Sequence, residues 1–142
     1  MKMKLRKQRF FTVIEILAVV LIISMLAAFV VPRAFKGMSQ SKTQIARSKM
    51  AIIEGALGKF YLDCSRFPSD SEGLDALMTI PSDLEGKWAG PYLKKSDLLD
   101  PWDNAYVYIA EGQVNTGSYD LISLGANSSV GGEGENKDIV NE

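Results

Sequence analysis

The chain has 142 residues, with 16 Lys and Arg against 17 Asp and Glu, no His and one Cys. That is one domain's worth of sequence, and a lone thiol without imidazole excludes an intramolecular disulfide, a thiolate zinc cluster and Ser-His-Asp or Cys-His catalysis. The net charge of −1 argues against nucleic acid as a partner, because neutralising phosphates takes a surplus of Lys and Arg.

Residues 1–9 carry five basic side chains, Lys2, Lys4, Arg6, Lys7 and Arg9, and no acid, which leaves 11 basic against 17 acidic residues in the remainder. Residues 10–31 follow, 22 positions with Glu15 as the one ionisable group. As a helix this stretch would be about 33 Å long, close to the hydrocarbon thickness of a bilayer. A cleaved secretory signal would have an apolar core of about 7 to 15 residues and a small-x-small site after it. Here the apolar run 16–31 continues to Pro32-Arg33 with no such site, which predicts a retained, single-pass membrane helix. By the positive-inside rule the basic nonapeptide stays in the cytoplasm and the acidic remainder is exported.

After Pro32 the chain becomes polar but helix-compatible. Ile45, Ile52, Ile53, Ala56, Leu57, Phe60 and Tyr61 fall at spacings of three, four and seven, so they share a face that should dock on a small domain. Lys42, Arg47, Lys49, Glu54 and Lys59 are expected on the opposite face, toward water or a neighbouring molecule. Pro32, Gly37 and Ser39 are the positions at which the helix would kink or loosen. Cys64 reads as a packed thiol at the helix end.

Ser69 with Glu72 forms a capping-box pattern ahead of 73–78, predicting one short helix. Pro81, Gly86, Gly90 and Pro91 punctuate a loop region, and 100–104 (Asp-Pro-Trp-Asp-Asn) has the composition of a tight turn. The alternating runs 105–109 and 118–124, separated by EGQVNTG, predict a hairpin. Trp88, Tyr92, Trp102, Tyr106, Tyr108 and Tyr119 read as packing residues. The last 18 residues hold too few apolar groups to fold by themselves, so something else must order them or they are disordered.

Together these elements predict an α+β fold. A long amino-terminal helix, membrane-spanning over 11–32 and amphipathic over 33–62, packs on a domain at 63–142 that holds a short helix and a small antiparallel sheet and ends in the loop 125–142.

The residues resemble a known family, the type IV pilin-like proteins, and within them the major pseudopilins of the type II secretion system. The resemblance rests on the basic leader, Phe11-Thr12-Val13-Ile14-Glu15, the apolar run ending at Pro32, Tyr61-Leu62-Asp63, Phe67-Pro68-Ser69 with Glu72-Gly73-Leu74, Gly90-Pro91-Tyr92-Leu93, Asp100-Pro101-Trp102 with Asn104, and Ser123-Leu124-Gly125-Ala126 with Gly131-Gly132. It covers nearly the whole chain. The amino-terminal motif marks the wider pilin class, and the later motifs point to the major pseudopilin. The resemblance implies an inner-membrane subunit with a periplasmic domain that performs no chemistry and polymerises with itself into a filament that drives folded proteins outward. The implied partners are minor pseudopilins, a prepilin peptidase and an inner-membrane assembly platform, with energy from a cytoplasmic ATPase. Acidic pairs such as Asp97/Asp100 or Glu133/Glu135 are not placed around any pocket by the sequence.

In the family the peptidase cuts after a glycine and methylates the new terminus; the equivalent bond here is Phe10-Phe11. Phe10 stands in the glycine's place, and its bulk should slow or prevent cleavage. Glu15 has two readings: in a lone helix it is a carboxylate tolerated near the interface, and by the resemblance it matches a glutamate that pairs with the free amine of an adjacent subunit and sets its register, the reading favoured because intramembrane ionisable residues normally have partners.

The resemblance also implies a calcium-binding carboxy-terminal loop. A hard cation takes six to eight oxygens, and a Gly-rich segment can turn carbonyls and carboxylates inward. By position, Leu124 and Asn136 would offer backbone carbonyls and Asp138 its carboxylate, while Asn127 stands where an aspartate is usual. A further acidic ligand maps to Gly134, for which Glu133 or Glu135 would substitute. The loss of a charge at Asn127 should weaken the site. Two rival readings are a type IV pilin for adhesion, motility or DNA uptake, and a monomeric membrane-tethered calcium-binding module.

Overall fold

Helix α1 spans Val13–Cys64, and its first turn forms where the Thr12 carbonyl accepts from the amides of Glu15 and Ile16. The computed structural model describes residues 11–142, with the backbone alone at 32–36 and 39. The basic leader and Phe10, where the cleavage site was expected, lie outside the described residues. The helical backbone continues through Pro32, Gly37 and Ser39. The chain divides into two compact units, the first ending at Met38 and the second running from Ser39 to Glu142.

In the first unit every apolar side chain of Val13–Val31 faces outward, with none of the segment buried. The hydroxyl of Ser24 donates to the Val20 carbonyl at 2.7 Å, so this polar group is satisfied within the helix and does not oppose an apolar environment.

The second unit has a core built on a different part of α1. Ala46, Met50, Ile53, Leu57, Phe60 and Cys64, joined by Ala56, are buried and alternate at spacings of four and three, the seam of one helix face. Ile53, Ala56, Leu57 and Phe60 are buried as expected, but the expected stripe was too wide. Ile45, Ile52 and Tyr61 keep 49%, 54% and 47% of their surface, because a helix turns 100° per residue and the seam centred on Ala46, Ile53 and Phe60 leaves their neighbours on its flanks. Tyr61 lies against Phe67 at the rim, ring centroids 4.8 Å apart. Lys42 and Lys49, expected toward water, lean on the domain: the Lys49 ammonium donates to the Leu99 carbonyl at 2.7 Å, and that of Lys42 lies 5.8 Å from the Trp102 ring centre. Helix α1 ends with Ser65 in the left-handed region, its amide donating to the Tyr61 carbonyl.

The short helix expected after Ser69 is a single 3₁₀ turn, Gly73–Leu77, that buries Leu74, Ala76 and Leu77. Half of the capping box is present. The Glu72 carboxylate accepts from the Ser69 amide at 2.7 Å, but the Ser69 hydroxyl also turns to that carboxylate. Arg66 also grips Glu72, with two bonds of 2.7 Å, and reaches Asp83 at 2.8 Å. This bidentate pairing pulls the Glu72 carboxyl down to about 2.

The predicted hairpin is present in shortened form. Strands β1 (Val107–Ile109) and β2 (Asp120–Ser123) pair antiparallel with Val107 opposite Ile122 and Ile109 opposite Asp120. A third strand, β3 (Ile139–Val140), pairs with the other edge of β2, giving the order β1-β2-β3. The tail is thus tied back by the sheet, with Ile139 buried and Asn141 bonded to both backbone groups of Leu121. The aromatic residues pack as expected: Phe60, Tyr92 and Trp88 make edge contacts, as do Phe67 and Tyr119. The Tyr106 hydroxyl donates to the Ala46 carbonyl of α1 at 2.9 Å, and burial pushes its pKa up. Cys64 is buried, and burial raises its pKa too, which leaves it an unreactive core thiol.

Candidate functional site

Two parts of the molecule hold the candidate functional residues. The first is the apolar segment of α1, in which Glu15 lies in the first helical turn and is exposed along with its neighbours. Its carboxylate is the one acidic group among 19 side chains in Val13–Val31. Such a surface can dissolve in lipid, or pack against other helices of the same character.

The second is the carboxy-terminal loop. After β2 the backbone makes a 3₁₀ turn at Gly125–Asn127, passes through Ser128 in the left-handed region, and makes a second 3₁₀ turn at Gly134–Asn136 before β3. The two turns touch. Gly125, with φ of +64°, has no room for a side chain, since a Cβ there would meet the Glu135 carbonyl at 2.5 Å; one at Gly132 would meet the Asn136 carbonyl at 2.6 Å. Gly125 is therefore required by the close approach of the two turns, and Gly132 by its approach to Asn136.

The structure brings the residues at 124–127 beside those at 135–136 and assigns them uneven roles. Asp138 accepts from the Gly131 amide through Oδ2 at 2.8 Å, while its Oδ1 is buried with no hydrogen-bond partner. Asn127 is engaged locally, its Oδ1 accepting from the Ser129 amide at 3.3 Å. Glu133 is exposed, and its backbone carbonyl accepts from the Asn136 amide. Among the described residues no three His, Cys, Asp or Glu side chains cluster closely enough to hold a metal ion. A cation here would rest on backbone carbonyls, a carboxamide and the Asp138 oxygen, a donor set suited to a hard ion such as calcium. The orphaned oxygen fits that ion, because a buried carboxylate oxygen without a donor is costly unless something cationic meets it.

Sequence reasoning missed the group that holds this loop from below. Asp100 is almost fully buried, 1% exposed. Its Oδ1 accepts from the amides of Trp102 and Asn104, both at 2.9 Å, and its Oδ2 accepts from the Ser123 hydroxyl at 2.7 Å. Asn104 donates from Nδ2 to the Gly125 carbonyl at 2.8 Å. The Asp-Pro-Trp-Asp-Asn composition foretold the turn, but nothing local in it pointed across the fold to Ser123 and Gly125. Asp120 is a second buried carboxylate with a structural task. It gathers the amides of Gln113, Val114 and Asn115 at 2.6 to 2.9 Å, and these donors, that of Val114 foremost, lower its pKa.

Comparison with known proteins agrees with this anatomy. The family model described as "Type II secretion system (T2SS), protein G" matches residues 33–142. The type II secretion system core protein G of Vibrio cholerae is 39% identical over 140 residues, covering 97% of this chain and 94% of that protein. Its counterpart in Pseudomonas aeruginosa is 40% identical over 142 residues, covering 98% of each. Among solved structures, the major pseudopilin from the type 2 secretion system of enterohaemorrhagic Escherichia coli matches with a TM-score of 0.60 and 26% identity, over 74% of this chain and 90% of that one.

Proposed function

Because this chain belongs to the type II secretion system protein G family, we propose that it is a major pseudopilin, a structural subunit that polymerises into a periplasmic filament driving export of folded proteins. The observation that carries this reading is the division of labour along α1. The second unit satisfies its own core with the seam from Ala46 to Cys64, while the 19 residues Val13–Val31 keep their apolar surface wholly exposed. That surface anchors the subunit in the membrane before assembly and packs against other copies afterwards. No catalytic step is required of the chain. The basic leader sets its orientation, with the amino terminus cytoplasmic and the domain periplasmic across the inner membrane.

Within the filament Glu15 pairs with the terminal amine of a neighbouring copy, and Pro32 marks the end of the apolar segment that packs in the fibre. Partners beyond the subunit itself are the minor pseudopilins, the assembly platform and the peptidase, for which Phe10-Phe11 is the equivalent bond and Phe10 the obstacle. A cysteine scan through 13–31, oxidised in cells that supply the export apparatus, should give a ladder of cross-linked multimers; monomers at every position would oppose the reading. Masses of the subunit with and without the peptidase test processing. Loss of the leader after Phe10→Gly, and its retention in the parent, would identify the bulky side chain as the obstacle.

The carboxy-terminal loop binds calcium through the carbonyls of Leu124 and Asn136, the carboxylate of Asp138 and the side chain of Asn127, with Glu133 as the added acid. The ion's contribution is to order the loop. The buried, unpartnered Oδ1 of Asp138 supports this assignment. Proteolysis of the tail should slow in calcium relative to chelator, and equal rates would count against the ion.

A further inference from the structure

The buried turn at 100–104 reaches the carboxy-terminal loop on both sides of Leu124. Asp100 Oδ2 accepts from the hydroxyl of Ser123 at 2.7 Å, and the Ser123 oxygen in turn accepts from the Gly125 amide at 3.4 Å. From the same turn, Asn104 donates to the Gly125 carbonyl at 2.8 Å. Residue 123 and residue 125 are therefore both fixed to one rigid element, and the peptide units around Leu124 inherit that orientation. The turn is itself rigid. The Asp100 amide donates to the Asn104 carbonyl at 2.8 Å, and Asp100 Oδ1 closes it from inside by accepting from Trp102 and Asn104. Ser123 is fully buried and is anchored further as the β2 residue opposite Ile139. Gly125, jammed against the Glu135 carbonyl and Asn136, transmits the same placement to the far half of the loop.

We infer that Asp100, Asn104 and Ser123 are positioning residues for a cation at the carboxy-terminal loop, clamping the backbone on either side of Leu124 so that the loop's oxygens are preorganised. This rests on the calcium reading above and adds to it three residues that are not themselves ligands. Groups that orient ligands without touching the metal commonly change affinity by about 10 to 100-fold when removed.

The test is calcium titration calorimetry on the full-length chain in detergent micelles, with thermal unfolding in chelator beside it. Asn104→Ala should weaken calcium binding about 10-fold or more. Ser123→Ala should do the same and also destabilise the fold, because it strands the buried Asp100 Oδ2. A core variant, Ile53→Val, separates positioning from mere stability: it should lower the melting temperature in chelator while keeping the parental calcium Kd. Should Ser123→Ala fail to fold, Asn104→Ala decides the matter, since its backbone bonds in the turn are retained. Parental Kd values in the folded clamp variants would overturn the inference and leave the calcium reading standing. No binding by the parent chain at millimolar calcium would overturn both.

Discussion

Two stretches of one helix, each rich in apolar residues, meet opposite fates. In Val13–Val31 every large apolar side chain is exposed, whereas from Ala46 to Cys64 a seam of seven residues is buried within the chain's own second unit. The difference lies in pattern. The first stretch is apolar all round, so no single face can be hidden by a small domain, and it calls for a surrounding of lipid or of like helices. The second confines its apolar residues to the spacing that one face allows, and Tyr106, reaching from just before β1 to the Ala46 carbonyl, ties the domain to it. A subunit built this way carries a finished domain and an unfinished helix, and in the proposed function the unfinished part is what polymerises.

The largest expected effect breaks the first stretch alone. Ile22→Arg places a charge near the middle of the apolar segment, at a cost of about 2.5 to 3.5 kcal/mol for insertion, and should abolish fibres while the thermal transition of the domain stays where it was. Membrane fractionation with a melting curve checks both halves of that statement. The next sharpens the contrast at adjacent residues. Ile53→Ala should destabilise the domain by about 2 to 5 kcal/mol through lost burial and a cavity, whereas Ile52→Ala should fall within about 0.5 kcal/mol, both read by denaturant unfolding. Comparable losses at the two positions would refute the rotation of the helix face.

A smaller effect belongs to the domain's ion network. Arg66 holds the Glu72 carboxyl down to about 2 from its ordinary 4.5, so the stabilisation it brings is full above about 4.5 and is lost as the pH falls toward 2. Because Arg66 keeps a third of its side-chain surface exposed, the contribution is screened to about 1 kcal/mol. Glu72→Gln should lower stability at neutral pH by that amount and flatten the loss between pH 4.5 and 2 in acid titration of the melting temperature. An unchanged acid slope would remove Glu72 from the account.

How much of this was legible in the sequence follows from what each feature depends on. The apolar segment and the hairpin needed only composition and alternation, which a single stretch of chain displays. The face of α1 was read correctly at Ile53, Ala56, Leu57 and Phe60 but too widely at Ile45, Ile52 and Tyr61, because periodicity cannot choose between neighbours such as Ile52 and Ile53 when both are apolar. Strand β3 escaped notice because two residues make no pattern, and Ile139 and Asn141 are recruited by contacts with β2 rather than by local preference. The short helix is a 3₁₀ turn with half a capping box, because the Ser69 hydroxyl turns to the Glu72 carboxylate instead of a backbone amide. At the carboxy-terminal loop the oxygen-rich composition was plain, but the support from Asp100 and Asn104 crosses more than 20 positions of sequence and becomes visible only in the fold.

The central claim is that the exposed stretch of α1 is completed by other copies of the chain. Electron microscopy of cells overproducing the subunit together with the whole export apparatus, with antibody labelling of the domain, tests it most directly. Labelled fibres that vanish in Ile22→Arg are the predicted result. Label confined to single membrane-bound subunits, with no fibre under any level of expression, would contradict it.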